Sequence, residues 1–197
     1  MEWFKYIVIL PVLALSWSCE DAGSGPGIPL PQGTATITDS SITFSPTSGY
    51  EYKTAFSFSK LLILRFNGNM FDSTYDILSY LYFDRPTNGW RVGLISAGDT
   101  LYRRPFRFIA SYPDAAAAFA AFSMLVTVPD SSFVLVTGPI QAYQIWVVKT
   151  NTGSYAKILI QDVYLKLGTG SAPTDTVYSR VTFEWMLQPN GSKSFLP

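Results

Sequence analysis

The sequence predicts a mainly β fold: one antiparallel sheet or sandwich domain with a single short helix. Aromatic residues make up 16% of the chain, and together with abundant Thr, Ser, Val and Ile they favour strands. Several runs alternate apolar and polar residues with a period of two, and Gly, Asn, Asp and Pro separate these runs as turn signals. Only one segment has the composition and spacing of a helix.

The first 18 residues have the features of a secretory signal peptide. Lys5 supplies a short basic region, residues 6–15 are apolar apart from Pro11, and small residues precede Cys19. A helix that spans a membrane needs roughly 20 apolar residues. The shorter run therefore predicts a cleaved signal.

Cys19 is the only cysteine of the chain, and it directly follows this signal. Its place predicts lipidation, because the segment resembles the lipobox of bacterial lipoproteins. In a lipobox, Leu usually lies three residues before the Cys; here Ser16 takes that position, Leu15 lies four residues before, and Trp17 is atypical. The alternative is a plain cleaved signal with an incidental cysteine. One cysteine alone cannot form a disulfide within the chain.

Residues 19–33 have the Gly/Pro-rich composition of a flexible tether, and residues 34–197 form the predicted β domain. Glu20 and Asp21 resemble the export tag that sends Bacteroidota lipoproteins to the outer face of the outer membrane. A solvated linker is the other interpretation of this acidic pair. We expect a protein anchored by lipid in the outer membrane and facing the cell surface, with the periplasmic face as the alternative.

Composition narrows the classes of function. The 14 basic and 14 acidic residues cancel, which disfavours nucleic acid as a partner. The chain contains no histidine, so a Ser-His-Asp triad, a Cys-His pair and imidazole-based zinc sites are excluded. We expect a protein that is not an enzyme and that has no metal site.

The first half of the domain reads as strands separated by turns. In residues 54–66, alternation gives way to a continuous apolar run, which predicts a strand that passes from half-buried to buried on both faces. Residues 90–96 and 100–109 are predicted to form a hairpin around the turn at residues 97–99. The predicted strands of this half are residues 34–44, 54–66, 75–83, 90–96 and 100–109.

The helix is predicted over residues 113–125. Ser111 fits the N-cap, and Pro113 and Asp114 suit the first turn. Phe119 and Phe122 are three residues apart, so we expect an aromatic stripe that packs on a sheet.

The last third predicts a hairpin and a final strand. Residues 142–150 and 154–167 are joined by Asn151-Thr152-Gly153, which suits a bulged turn. In the final strand, residues 177–188, the apolar residues alternate with polar ones. The residues expected on the apolar face are Val181, Phe183, Trp185 and Leu187.

Short motifs in order along the domain resemble the HmuY-like family of bacterial surface lipoproteins, whose founding members bind haem. The most specific motifs are the hairpin around Trp146–Thr150 and Tyr155-Ala156-Lys157-Ile158, and the final strand with its Gln188-Pro189-Asn190-Gly191-Ser192 tail. The other matching segments are Phe56-Ser57-Phe58-Ser59-Lys60, Tyr75-Asp76-Ile77 and Thr127-Val128-Pro129-Asp130 with Phe133. The resemblance implies a β domain of the HmuY-like type that binds an apolar or planar ligand, with haem as its model.

The resemblance also implies that axial ligands of haem would lie within residues 131–141. That interval contains neither His nor Met, so the ligand-bearing segment is shortened. Some relatives use methionines, and Met70 and Met124 are the candidates that this chain offers for such a role, although core packing is the simpler interpretation of Met124. Met186 falls on the polar face of the final strand.

Other residue groups have two interpretations each. Arg103 and Arg104 either clamp an anion or protect an edge strand together with Pro105. Trp90 and Trp146 either stack on a sugar or flat ligand or fill the core. The acidic residues Asp72, Asp76 and Asp84 lie near one another in sequence, but Asp76 falls within a predicted strand and the other two fall in turns, so solvated acids are the default interpretation.

The sequence thus predicts a surface lipoprotein that binds an apolar or planar ligand. Its lipid anchor would attach it to a membrane, and its protein partner would be an outer-membrane receptor or another surface protein. The alternative is a docking lipoprotein that binds another surface protein and no small molecule. No cofactor other than haem is indicated.

Overall fold

The computed structural model describes residues 29–42, 53–98, 103–167 and 176–196. The predicted signal, residues 1–18, and Cys19 lie outside these ranges. The described strands form two antiparallel sheets, which confirms the predicted mainly β fold. The elements are β1 (Gln32–Ile42), β2 (Thr54–Ser57), β3 (Leu62–Arg65), β4 (Ile77–Asp84), β5 (Gly89–Ile95), β6 (Phe106–Ser111), α1 (Ala115–Met124), β7 (Gln144–Lys149), β8 (Tyr155–Lys166) and β9 (Thr176–Gln188).

The five-stranded sheet has the order β1-β9-β8-β7-β6, and the four-stranded sheet has the order β3-β2-β4-β5. Alternate residues of β9 point between the sheets, as predicted for its apolar face, and all four of these side chains are buried. The ring of Phe56 lies 5.6 Å from that of Phe183 and 5.3 Å from that of Trp185, measured between centroids. Burying each such ring contributes roughly 1.5–3 kcal/mol, so this aromatic cluster holds the two sheets face to face.

A β-bulge in β8 keeps its apolar residues on the inner face. Ile158 and Ile160 point into the core between the sheets, and the register with β9 shifts between Ile160 and Asp162. The extra residue reverses the alternation that follows it. Val163 and Leu165 consequently pack against the same core.

A third layer covers the outer face of the five-stranded sheet. Helix α1 packs there through Ala118 and Phe122, which are buried. Phe119 is 40% exposed, so the predicted aromatic stripe is wrong for this residue: the contact follows the i, i+4 line from Ala118 to Phe122. The N-cap is Asp114, whose Oδ1 accepts a hydrogen bond from the N–H of Ala117 at 2.8 Å, in place of the predicted Ser111.

The segment predicted as one buried strand over residues 54–66 is a hairpin, so that prediction is wrong. Strands β2 and β3 pair antiparallel across a turn in which Leu61 has a left-handed φ of 54°. β3 is the edge of its sheet, and Leu61, Leu62 and Ile63 are 44%, 43% and 43% exposed. A run of aliphatic residues can therefore lie at an uncovered edge as well as in a core.

The predicted hairpin between residues 90–96 and 100–109 is also wrong, because β5 and β6 belong to different sheets. Residues 134–140, which follow α1 in the chain, bridge β5 and β6 through backbone hydrogen bonds, and we call them the edge strap. Val134 exchanges backbone hydrogen bonds with Phe106 in β6, and Ile140 donates one to the carbonyl of Val92 in β5. The edge strap therefore closes one side of the sandwich.

The N-terminal strand begins earlier than the predicted domain boundary. Gln32 and Gly33 pair with Met186 and Trp185, and the carbonyl of Pro31 accepts a hydrogen bond from the N–H of Leu187 at 2.8 Å. The last residues of the predicted tether are thus part of the fold, while residues 19–28 lie outside the described ranges.

Lys157 ties the helix to the sheet. It lies on the outer face of β8, where its Nζ donates hydrogen bonds to the carbonyl oxygens of Phe122 at 2.6 Å and Leu125 at 3.0 Å. These carbonyls belong to the C-terminal end of α1, where backbone acceptors lack partners within the helix. The cation also lies 4.7 Å from the ring centre of Phe122 and 5.5 Å from that of Phe195. Burial lowers the pKa of Lys157, and the charge of Glu184 opposes this effect.

We predict that Lys157→Met destabilises the fold by about 1.5–3 kcal/mol, the range for hydrogen bonds to a charged group. The loss should appear as a lower urea midpoint and as faster amide hydrogen exchange at the end of α1. Lys149→Met, at an exposed lysine of the neighbouring strand, is the matched control and should change stability by less than about 0.5 kcal/mol. Equal midpoints for the two variants would show that Lys157 does not hold the helix.

Candidate functional site

A cavity of about 390 Å³ opens between the two sheets at the end where the β4–β5 turn, the edge strap and the distal half of β8 meet. We call it the end cavity. Its apolar wall consists of Trp90, Val92, Pro139, Ile140, Val163 and Leu165. Its polar rim consists of Asp84, Thr87, Arg91 and Gln141. Pockets of roughly 300–1,000 Å³ with apolar walls and a few polar groups are typical of sites for small molecules.

The bulge in β8 is what places two of the wall residues. Without the extra residue after Ile160, the alternation of the strand would turn Val163 and Leu165 towards the outer face. The bulge instead points them at β5, where Val92 is part of the same wall.

The edge strap supplies the third side of the end cavity. Thr137 anchors it: its N–H donates to the carbonyl of Leu94 at 3.0 Å, and its Oγ1 accepts from the N–H of Leu94 at 2.7 Å. Tyr80 adds a hydrogen bond from its hydroxyl to the carbonyl of Thr137 at 2.8 Å. Burial raises the pKa of Tyr80 to about 12, so this hydroxyl keeps its proton at neutral pH. The strap falls within residues 131–141, the interval in which the resemblance would place the axial ligands of haem and which contains neither His nor Met.

The rim groups already form a small network. Thr87 Oγ1 donates to Asp84 Oδ2 at 2.6 Å, and Arg91 Nε lies 4.0 Å from the same oxygen. The side chain of Arg91 is half-exposed, and the backbone N–H of Gln141 bonds to Gln144 Oε1 at 3.2 Å. The rim thus presents one carboxylate, one guanidinium and one amide around an apolar wall.

The methionines considered as ligands lie elsewhere. Met70 packs on the cluster of Phe66 and Tyr75, and its carbonyl accepts from the N–H of Gly98 at 2.9 Å. Met124 is 73% exposed at the end of α1, in the outer layer. Met186 packs in that outer layer as well. None of them lines the end cavity, and the structure does not bring Met70 and Met124 together.

The two arginines of the predicted clamp also diverge. Arg103 donates to the carbonyl of Lys149 and, at 3.4 Å, to Ser96 Oγ, while Arg104 is exposed. Burial lowers the pKa of Arg103, and the charge of Asp76 opposes this effect. Strand β6, which follows them, is an edge of the five-stranded sheet.

Asp76 corrects a sequence-based expectation, because it is only 1% exposed and is not a solvated turn residue. Its Oδ2 accepts from the N–H of Phe58 at 2.8 Å, and its Oδ1 accepts from the N–H of Asn151 at 2.6 Å. Asn151 Nδ2 in turn donates to the carbonyls of Tyr75 at 2.9 Å and Ala97 at 3.0 Å. Burial raises the pKa of Asp76, whereas the two N–H donors and Arg103 lower it.

The structure separates the two tryptophans. Trp146 is 5% exposed within the core between the sheets, so core packing is the correct interpretation for it. Trp90 is half-buried and lines the end cavity. No sequence pattern predicted Asp84, Arg91 and Gln141 as rim residues, and Gln141 comes close to β5 only because the distant residue Ile140 bonds to Val92.

A second, larger groove of about 660 Å³ lies at the opposite end of the sandwich, where the tether meets the C-terminal tail. Prolines 29, 31 and 189 line it together with Leu30 and Leu196, and its lining contains no charged or aromatic residue. The end cavity, with its aromatic wall and charged rim, is therefore the candidate site.

No protein-family model matches the chain, and no curated protein matches it either. Within the described ranges, no helix is long and apolar enough to cross a membrane. Across the same ranges, no three His, Cys, Asp or Glu residues are grouped as they would be to hold a metal ion.

We predict that Arg103→Gln lowers the stability of the fold by about 1–3 kcal/mol, because it removes the donor to the carbonyl of Lys149 and to Ser96 Oγ and the positive charge that favours the ionised form of the buried Asp76. Arg104→Gln, at the adjacent exposed arginine, should change stability by less than about 0.5 kcal/mol. Thermal and urea unfolding of the two variants measure the difference. An unchanged Arg103 variant would show that this side chain has no structural task and would restore it as a candidate for binding an anion.

Proposed function

We propose that the protein is a non-enzymatic lipoprotein of the outer membrane that binds an apolar or planar ligand in the end cavity, as members of the HmuY-like family do. The observation that carries the proposal is the end cavity itself: an open, apolar-walled space of about 390 Å³ with a polar rim, bounded on one side by the edge strap. The absence of histidine from the chain removes the usual partners for a nucleophile and supports a binding role.

The position of the end cavity relative to the tether also supports a binding role at a surface. The chain enters the sandwich at Pro31, and the strand register places Asp39, Ser179 and Leu165 side by side at the level of the cavity. At about 3.3 Å per residue, eight residues of β1 separate these levels by roughly 26 Å. A domain anchored through Cys19 would hold its cavity at the end away from the membrane.

Haem is the ligand that the resemblance suggests. The wall of the end cavity offers apolar contact to a flat ring, but neither Met70 nor Met124 lies there to bind its iron. Haem bound in this cavity would therefore be held by contacts to its ring, and removal of the iron should change the binding affinity little.

We predict that hemin and iron-free protoporphyrin IX both quench tryptophan fluorescence of the mature chain in a saturable way and with similar affinity. Val163→Phe, which fills the end cavity, should weaken both at least tenfold. Val134→Phe, at an exposed valine of the edge strap that does not line the cavity, is the matched control and should bind like the wild type.

Two results would contradict this proposal. One is the absence of saturable binding by either porphyrin, which would favour the docking alternative; the exposed aliphatic edge of β3 offers a surface for such a partner strand. The other is binding that Val163→Phe leaves unchanged. A sharp, shifted Soret band that disappears in Met70→Leu or Met124→Leu would instead show iron ligation outside the cavity.

Lipid attachment has a separate test. We predict that cells fed radiolabelled palmitate label the wild-type protein, and that Cys19→Ser abolishes the label and releases the protein from the membrane fraction. The variant should keep the circular dichroism spectrum of the wild-type domain. A Cys19→Ser protein that is still labelled, or a wild-type protein that is never labelled, would refute lipidation at this residue.

A further inference from the structure

We infer that the ligand of the end cavity is a neutral ring that carries several hydroxyl groups, such as the pyranose ring of a saccharide. This inference rests on the proposed function, since it assumes that the end cavity holds a ligand, and it names the chemical class. Two features carry it: a tryptophan held on one wall, and a rim whose charges cancel while hydrogen-bonding groups remain unused.

The wall suits the apolar face of such a ring. Phe83 packs edge-on against Trp90, with 5.8 Å between the ring centroids and 79° between the planes. This contact packs one side of the indole, which lines the end cavity beside Val92 and Val163. A pyranose ring presents its axial C–H groups on one face, and a fixed aromatic ring offers that face a large contact area at little cost in side-chain entropy.

The rim suits hydroxyl groups. Asp84 Oδ2 accepts from Thr87, and no group in the described part of the chain donates to Oδ1. Arg91 approaches Asp84 only through Nε, at 4.0 Å, and the side-chain amide of Gln141 makes no hydrogen bond within the described ranges. A hydroxyl group is both a donor and an acceptor, so it matches a rim that offers an acceptor, a donor and an amide that is both.

The charge of the rim argues for a neutral ligand. Asp84 and Arg91 carry opposite charges, and Thr87 and Gln141 carry none. Ligands with two carboxylates, as in the porphyrins, are recognised by sites with an excess of cations. The end cavity has no such excess, which places a neutral saccharide ahead of a dianionic ring as its ligand.

The experiment titrates the mature full chain with the neutral disaccharides maltose, cellobiose and lactose, and with glucuronate and glucosamine as charged counterparts. Tryptophan fluorescence and saturation-transfer NMR report binding. We expect at least one neutral disaccharide to bind and neither charged sugar to bind more tightly than it. Trp90→Leu should abolish binding, and Gln141→Ala should weaken it about three- to tenfold, the loss expected for one hydrogen bond.

Gln32→Ala, at an exposed glutamine of β1 far from the end cavity, is the matched control for Gln141→Ala and should bind like the wild type. Thermal unfolding of Trp90→Leu confirms that the variant is folded before its binding is read. Asp84→Asn supplies a second, nearly isosteric change at the rim, and it should also weaken binding without loss of the fold.

The outcomes separate this inference from the proposed function. Porphyrin binding that depends on Val163, with no binding of any neutral disaccharide, overturns the inference and leaves the proposed function standing. Disaccharide binding that Val163→Phe abolishes supports the inference and a binding role for the end cavity; if neither porphyrin binds in the same series, the planar-ligand version of the proposed function is overturned while the inference stands. Tighter binding of glucuronate than of the neutral sugars overturns the inference, and failure of every probe to bind overturns both.

Discussion

The carboxylate of Asp76 fixes how the two sheets sit on each other. It precedes β4 in the four-stranded sheet and accepts a hydrogen bond from Asn151 in the β7–β8 turn of the five-stranded sheet. Asn151 returns two hydrogen bonds to the four-stranded side. Apolar packing alone does not fix the relative orientation of two sheets because it is non-directional. The three hydrogen bonds between Asp76, Asn151 and their partners are directional and therefore do. The aromatic cluster of Phe56, Phe183 and Trp185 then packs between sheets that are already aligned.

This arrangement leaves the space between the sheets closed at one end and open at the other; the groove of about 660 Å³ at the closed end is lined by the tether, the end of β9 and the C-terminal tail, and by no residue of the four-stranded sheet. Asp76 lies at the start of β4 and Asp84 at its finish, so the strand carries the two ends about 26 Å apart at roughly 3.3 Å per residue. At the closed end, buried polar groups are hydrogen-bonded to each other. At the open end, the edge strap and the bulge in β8 keep the sheets connected while they leave the end cavity between them. Within one domain, the buried polar contacts of Asp76 thus lie at one end and the candidate binding site at the other.

Local patterns predicted those elements whose environment is uniform along their length. The alternation in β9 identified its buried face because that strand has one sheet face on the core throughout, and Gly153, with a φ of 84°, marked the β7–β8 turn. The pattern failed at Leu61, where a leucine occupies a left-handed turn that Gly or Asn would have signalled. It failed at Asp76, because a carboxylate bonded by distant N–H groups looks the same in sequence as a solvated one. The end cavity could not be predicted, since the bulge that aims Val163 and Leu165 has no composition of its own.

The edge strap lies within residues 131–141, the interval that is short by comparison with the family the sequence resembles, and it borders the end cavity. Its backbone bonds to Phe106 at one end and to Val92 and Leu94 at the other, so its length is set by the gap between β6 and β5. A segment stretched over that gap has few residues left to reach inward and bind a metal-centred ligand. What it does supply is part of the wall, through Pro139 and Ile140, and the residue that directly follows it, Gln141, adds one amide to the rim. For the proposed ligand, the available contacts are therefore the rim and the indole of Trp90, and these favour the proposal of a ligand held by its shape and hydroxyl groups over one held by a metal bond.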